Sequence, residues 1–243
     1  MVKKNQTIEE YYDEDDDELS FIPPNYFESD EKLVLIACLL LLEQRYRLLE
    51  SMSPSEVVDE IDSIMDSLES ELIETARTKV DDAVFNSLRE ELIDYNIPIF
   101  GYVEVDESMY QIMADSIKGL VNQLRDDLKV KSQFFEDNMS NTDFDIAPNF
   151  RRAIQRVVDG VGNNLIYSKE KTHRKVLKFV YGESTLYKWY HMNDSRVCDW
   201  CIAQGKEAPR RIDDWELDHP RGRCILEPID TTYSNDYYSL LID

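Results

Sequence analysis

The chain has 243 residues, enough for one large domain or two small ones, and its apolar fraction of 42% is ordinary for a globular protein. Fifty Asp and Glu side chains oppose 27 Lys and Arg, which gives a formal net charge of −23. A field of this sign disfavours binding of the whole chain to nucleic acid or to an anionic membrane. It is also typical of proteins from high-salt organisms.

Several protein classes are excluded by the cysteine content and the apolar runs. Four cysteines in a chain of this length do not make a disulfide framework. The first 20 residues contain no apolar core after their two lysines, so they predict no signal peptide. The apolar run 33–42 is about half as long as a membrane span. We interpret it as a deeply buried helix in which Cys38 acts as a small apolar side chain. The protein is expected to be soluble and intracellular, or part of something that is assembled inside a cell.

Charge divides the chain into unequal segments. Residues 148–225 carry 15 basic and 10 acidic side chains, whereas the rest carries 12 basic and 40 acidic ones. Such an asymmetry indicates separate roles, although acidic helices that simply solvate themselves explain it equally well. We predict a disordered or partner-ordered acidic tail over 1–29, an acidic helical region over 30–147, a basic domain over 148–230 and a second tail over 231–243.

The tail over 1–29 is too charged to bury itself, and Pro23 and Pro24 forbid a helix at its end. Its aromatic residues leave room for a segment that orders on a partner. They are Tyr11, Tyr12, Phe21, Tyr26 and Phe27.

Three helices are predicted in the acidic region. The first covers 29–50. Ser53, Pro54 and Glu56 form the capping-box start of the second, whose apolar residues recur at steps of three and four as far as 92. Pro98 and Gly101 interrupt this pattern, and a third helix is predicted from 107 to about 135.

The basic segment changes period as it proceeds. Residues 149–170 predict a helix that glycines at 160 and 162 loosen, and residues 170–184 predict a second short helix that stops at Gly182. Aromatic residues over 185–192 then alternate as in a strand, and residues 223–229 predict its partner strand. The fold class is therefore α+β and mostly α, with a small C-terminal α+β domain. The cysteine cluster lies on the turns that join the two strands.

This cluster has the composition of a zinc-binding knuckle. A C-x2-C pair is followed, after a long loop, by H-x4-C, and Zn²⁺ takes four thiolate or imidazole ligands. The predicted set is Cys198, Cys201, His219 and Cys224. Four protein ligands leave no open position, so such a site is structural. Its net charge of −1 can be offset by Arg196, Arg221 and Arg223, which lie beside the ligands in sequence.

Other interpretations of the cysteines stay open. A redox C-x2-C normally precedes a helix in a βαβ unit, whereas this one follows an aromatic strand. A nucleophilic cysteine could use His219 and Asp218, but the sequence supplies no recognisable oxyanion hole. Reduced, unligated thiols in a small core are the plainest alternative. His173 and His191 fit surface or strand positions better than ligand positions.

Together the two half-motifs resemble the C-terminal domain of the phage head-morphogenesis proteins, the minor capsid proteins of the phage Mu F and phage SPP1 type. The resemblance covers about residues 185–228. The matching positions are Asp194, Arg196, Cys198, Cys201, His219, Pro220, Arg223 and Cys224. The chain departs from the family at Gly222, where a further cysteine is usual. If the family's metal site is carried over, the four residues named above are then the only set that supplies four ligands.

The resemblance implies a non-enzymatic virion component of a tailed virus. Such proteins occur in few copies near the portal or inner head, act in head assembly, DNA packaging or DNA retention, and are assembled in the host cytoplasm. The implied partners are the portal protein, the major capsid protein and packaged double-stranded DNA, and no membrane. The alternatives are a zinc-ribbon adaptor without a viral role and a thiol oxidoreductase.

A basic stretch in the C-terminal segment suits contact with DNA or with an acidic partner surface, although a solvated helix face is the simpler explanation. Its residues are Lys169, Lys171, Arg174, Lys175 and Lys178.

Overall fold

A computed structural model of the chain describes residues 19–23, 29–94, 107–138, 144–191, 198–216 and 224–229. The protein is mostly helical, with a small three-stranded antiparallel sheet towards its C-terminal end, and this confirms the predicted α+β, mostly α class. The elements are α1 (Ser29–Glu50), α2 (Pro54–Asp94), α3 (Glu107–Asn138), α4 (Ala147–Tyr181), β1 (Leu186–Tyr190), α5 (Asp199–Lys206), β2 (Arg210–Arg211), a 3-10 turn (Ile212–Asp214) and β3 (Ile225–Pro228).

The four long helices form an up-down-up-down bundle. Arg77 of α2 pairs with Glu107 at the start of α3, whereas Arg125, further along α3, pairs with Asp66, which comes earlier in α2, so α2 and α3 are antiparallel. The loop of three residues between α1 and α2 produces the same relation between those helices.

Helix α4 closes the bundle against both α1 and α3. Its N-terminal Phe150 packs edge-on against Tyr46 of α1 at 5.3 Å between ring centroids. In the second half of α4, the Lys169 ammonium lies 3.0 Å from the carboxylate of Asp30 at the start of α1. Because one core cluster contains side chains from all four helices, the predicted boundary at 147/148 marks the start of α4 and the bundle continues beyond it.

Helix α1 is buried on one face. Leu35, Leu39 and Leu42 are fully buried, and burial of such a side chain contributes about 2 kcal/mol. The prediction of a deeply buried helix is wrong for the opposite face, where Leu33 and Leu40 are 64% and 49% exposed. The reason is that α1 packs against α2 and α4, and neither covers its outer side.

The thiol of Cys38 lies on the buried face of α1, as predicted, with no exposed surface. Desolvation by burial raises its pKa to about 12, so the thiol stays protonated and behaves as an apolar group. Within the described ranges, none of the helices combines the length and apolarity that crossing a bilayer requires.

The predicted capping box at the start of α2 is confirmed. The backbone N–H of Ser53 donates to the Glu56 carboxylate at 2.7 Å, and the backbone N–H of Glu56 donates to the Ser53 hydroxyl at 3.4 Å. The hydrogen bond from the Ser53 backbone is the main cause that lowers the pKa of Glu56. Helix α2 then runs without interruption to Asp94, and α3 starts at 107 as predicted.

The prediction of two helices in the basic segment is wrong, because α4 is continuous from Ala147 to Tyr181. Gly160 does not loosen this helix but allows α3 to approach it closely. A Cβ atom at position 160 would lie 2.4 Å from the Ser116 hydroxyl oxygen. The helix ends as predicted at Gly182, whose φ of 85° suits glycine and whose N–H donates to the Lys178 carbonyl at 2.8 Å.

The two predicted strands are present and paired, and β2 adds a short third strand that the sequence did not predict. Strand β1 lies in the centre, antiparallel to both neighbours. The predicted 1–29 tail is described at 19–23, where the ring centroid of Phe21 lies 5.9 Å from that of Tyr46, and at Ser29, which begins α1. Its other residues lie outside the described residues, as does the tail over 231–243.

We predict that the Gly160→Ala change depends on Ser116. Alanine gains about 1 kcal/mol of helix propensity over glycine, but its Cβ displaces the Ser116 hydroxyl, so the single change should leave the free energy of unfolding nearly unaltered. In a Ser116→Ala background the same change should raise it by about 1 kcal/mol. Denaturant unfolding of the four proteins in a double-mutant cycle measures this coupling, and equal effects in both backgrounds would contradict the close contact.

Candidate functional site

The C-terminal subdomain, defined here as the sheet, α5, the 3-10 turn and the last turns of α4, contains the described cysteines of the motif. Its core is a separate buried cluster of Leu177, Tyr187, Trp189, Ile212 and Trp215. Because side chains alternate along β1, Tyr187 and Trp189 point into this core, and Leu186, Lys188 and Tyr190 lie on the other face. The predicted aromatic strand therefore forms the wall of the site.

Pairing of β1 with β3 brings the two half-motifs to one end of the sheet. Tyr190, the last residue of β1, lies opposite Ile225, the first residue of β3. The C-x2-C half-motif follows β1, and Cys224 immediately precedes β3 and packs on the subdomain core. The chain therefore leaves β1 and re-enters the sheet in β3 at the same end of the sheet.

The C-x2-C pair begins helix α5, so the prediction that the cluster lies on strand-joining turns is wrong for these two residues. Cys198 is the N-cap, and its sulfur accepts a hydrogen bond from the Cys201 backbone N–H at 3.4 Å. This contact satisfies one of the N–H groups that a helix start leaves without an intrahelical partner. Cys201 is buried, and Cys198 is partly exposed.

The helix start has consequences for both chemical interpretations of the pair. It supplies the positive end of a helix dipole to Cys198, as in redox motifs. The strands on either side, however, are antiparallel, so the described part of the subdomain is not a βαβ unit. A cap and a first-turn residue also present two thiols on one side of a turn, which is the geometry that a metal half-site needs.

The other half of the predicted metal set is not described. His219 lies outside the described residues, as do the motif positions Asp194, Arg196, Pro220 and Arg223. Among the residues that the structure does describe, no group of three or more His, Cys, Asp or Glu could hold a metal ion. The thiols of the C-x2-C pair thus fit zinc chemically, and the four-ligand set stays a prediction.

The two other histidines lie where the sequence suggested, near the surface and at a strand end. His191 follows β1 directly, and the last turn of α5 packs on it so closely that a Cβ atom at Gly205 would lie 2.9 Å from its ring. His173 projects from α4 and is half-buried.

The basic residues predicted to contact DNA or a partner have different roles in the fold. Lys169 pairs with Asp30 and Glu31 of α1 at 3.0 and 3.3 Å, and Lys178 pairs with Asp213 at 2.5 Å. Lys175 is exposed, and Lys171 is partly exposed. Contact with nucleic acid stays a prediction, and Lys175 presents its charge to solvent most fully.

Arg174 joins α4 to the loop that contains the 3-10 turn. Its guanidinium donates to the carbonyls of Trp215 and Glu216, both at 2.6 Å, and to that of Ile212 at 3.3 Å. It also pairs with Glu170 one turn earlier, at 2.5 Å. The side chain is only 10% exposed, so these bonds form in a region of low dielectric where a charged donor is strong.

Sequence reasoning placed Arg174 in a basic stripe and missed this role. The available signal is its position: it lies three residues before the buried Leu177 on the apolar face of α4. A charged residue at such a position must be paired, since almost no arginine is buried without partners.

A cavity of about 290 Å³ separates the bundle from the subdomain. Helices α1, α2 and α4 line one side of it, and β1 and β3 line the other. The charged and reactive groups at its wall are Glu31, Lys169, Glu170, His173, Arg174 and Cys224. No sequence signal identified it, because its walls come from five separate elements.

Comparisons of the chain with protein-family models, with curated proteins and with solved structures gave no match.

We predict that Arg174→Met lowers the free energy of unfolding by about 3 kcal/mol, because it removes the ion pair with Glu170 and leaves three backbone carbonyls without a buried charged donor. Lys175→Met is the matched control: its side chain is exposed, so the change should stay within about 0.5 kcal/mol. The three tryptophans of the chain all lie in the subdomain and report its unfolding by fluorescence: Trp189, Trp200 and Trp215. Equal stability of the two variants would contradict the role assigned to Arg174.

Proposed function

We propose that this chain is a structural minor head protein of a tailed virus, without enzymatic activity, that associates with the portal or the inner capsid during head assembly or DNA packaging. The observation that carries the proposal is the arrangement around the two half-motifs. An aromatic strand, a C-x2-C pair and a returning strand after Cys224 follow one another in the order on which the resemblance rests, and the pairing of Tyr190 with Ile225 brings the two strands together.

The charge distribution supports a division of labour within this function. The bundle surface provided by α2 and α3 is rich in acidic side chains and repels DNA, so it suits contact with protein. Of the five basic residues predicted to contact DNA or a partner, Lys175 is exposed, and it lies on α4 two residues before Leu177 of the subdomain core. Contact with packaged DNA, or with an acidic portal surface, is therefore assigned to that end of the molecule.

We further propose that Zn²⁺ staples the subdomain through Cys198, Cys201, His219 and Cys224. The N-cap geometry of the C-x2-C pair supports this assignment. Zinc would supply a structural cross-link between the segment that follows β1 and the segment that precedes β3, and its binding free energy would add to the folding free energy of the subdomain.

The proposed function predicts that each mature particle contains a fixed, small number of copies of the protein. Quantitative mass spectrometry of virions purified from the source, followed by localisation in asymmetric density of the particle, should find it at the portal vertex or on the inner head surface. Its absence from purified heads, or an even distribution over the outer shell, would contradict the proposal.

The zinc assignment predicts one zinc per chain in the purified protein and its loss in Cys198→Ser. Removal of zinc by a chelator should lower the midpoint of thermal unfolding reported by tryptophan fluorescence. Cys38→Ala, which removes a thiol from the bundle core, is the matched control and should retain zinc. Substoichiometric zinc in the wild type, together with a readily formed Cys198–Cys201 disulfide, would instead favour thiol redox chemistry.

A further inference from the structure

The face of the sheet that points away from the subdomain core carries exposed apolar side chains. Alternation places Leu186 and Tyr190 of β1 on this face, opposite Ile229 and Ile225 respectively. All four side chains are about half exposed, between 47% and 52%. We call these four residues, together with Lys188 and Glu227 between them, the outer sheet face.

The charges on and beside this face are mainly positive. Lys188 lies between the two apolar pairs, opposite Glu227. Arg211 of β2 is the register partner of Leu186 and is exposed beside it. A segment that covers the face should therefore combine apolar side chains with negative charge.

The size of the face argues against a second copy of the chain as its occupant. Four half-exposed side chains present on the order of 350 Å², less than half of the roughly 800 Å² that each partner buries in a standard stable interface. A net charge of −23 on each copy would oppose such an association further.

Residues 230–243, which lie outside the described residues, match the face in composition and position. They follow Ile229 directly and so start at the Leu186 end of the face. Fourteen residues can reach about 45 Å when extended, far more than the length of strands β1 and β3 requires. The segment contains the apolar run Tyr237–Ile242, broken by one serine, and three aspartates.

We propose that residues 230–243 fold back and cover the outer sheet face, with the 237–242 run against the two apolar pairs and the aspartates near Arg211 and Lys188. Because the segment is tethered to β3, its effective concentration is in the millimolar range, and a face too small for a separate partner is sufficient to hold it. This proposal goes beyond the function assigned above and does not depend on it.

Limited chymotrypsin digestion of the full chain under native conditions tests the proposal. The test variant is the double substitution Leu186→Thr and Ile225→Thr, which keeps strand propensity while it removes apolar contact area. Cleavage after Tyr237 and Tyr238, followed by mass spectrometry, should be slow in the wild type and about tenfold faster in the variant, because proteolysis follows the population of the open segment.

Ile112→Thr is the matched control, since Ile112 is 54% exposed on α3, far from the sheet in sequence. It should leave the cleavage rate at wild-type level, and unchanged tryptophan fluorescence in the double variant should show that the subdomain core is intact. Equal cleavage rates in the wild type and the double variant would overturn the proposal. So would a wild-type dimer that dissociates in the double variant during sedimentation, because a second copy would then be the occupant.

Discussion

The C-terminal subdomain depends on the buried guanidinium of Arg174. Strands of five, two and four residues cannot bury enough surface to be stable alone. Arg174 fixes the loop after β2 to α4 by three carbonyl contacts, and Trp215 in that loop then donates its indole N–H to the Tyr187 carbonyl at 3.2 Å. The helix therefore positions the loop, and the loop positions the central strand that carries the site.

This arrangement requires α4 to belong to two cores at once. Its first turns are buried in the bundle, and Leu177 near its end is buried in the subdomain. Continuity across 35 residues is possible because Gly160 admits α3 at a close approach without breaking the helix. One continuous helix therefore joins the bundle to the end of the molecule where the cysteines lie.

The sequence predicted the features that are set by local rules, which are the helix starts, the capping box, the stop at Gly182 and the pair of strands. It failed where long-range packing decides. Gly160 reads locally as a helix breaker and Arg174 reads as a surface charge, because their partners Ser116 and Trp215 become evident only in the folded chain. The outer side of α1 was misjudged for the same reason.

A zinc site and the Arg174 contacts would restrain different parts of the chain between β1 and β3. The guanidinium holds the segment that follows β2, and the proposed zinc ligands would hold the segments that follow β1 and precede β3. The part of the loop between these anchors includes His219, the ligand that lies outside the described residues. Closure of a loop costs entropy that grows only slowly with its length, so a second anchor is most effective where the first leaves a long segment unconstrained. On this argument the metal would stabilise chiefly the stretch between Glu216 and Cys224, and Arg174 would keep the rest of the subdomain folded in its absence.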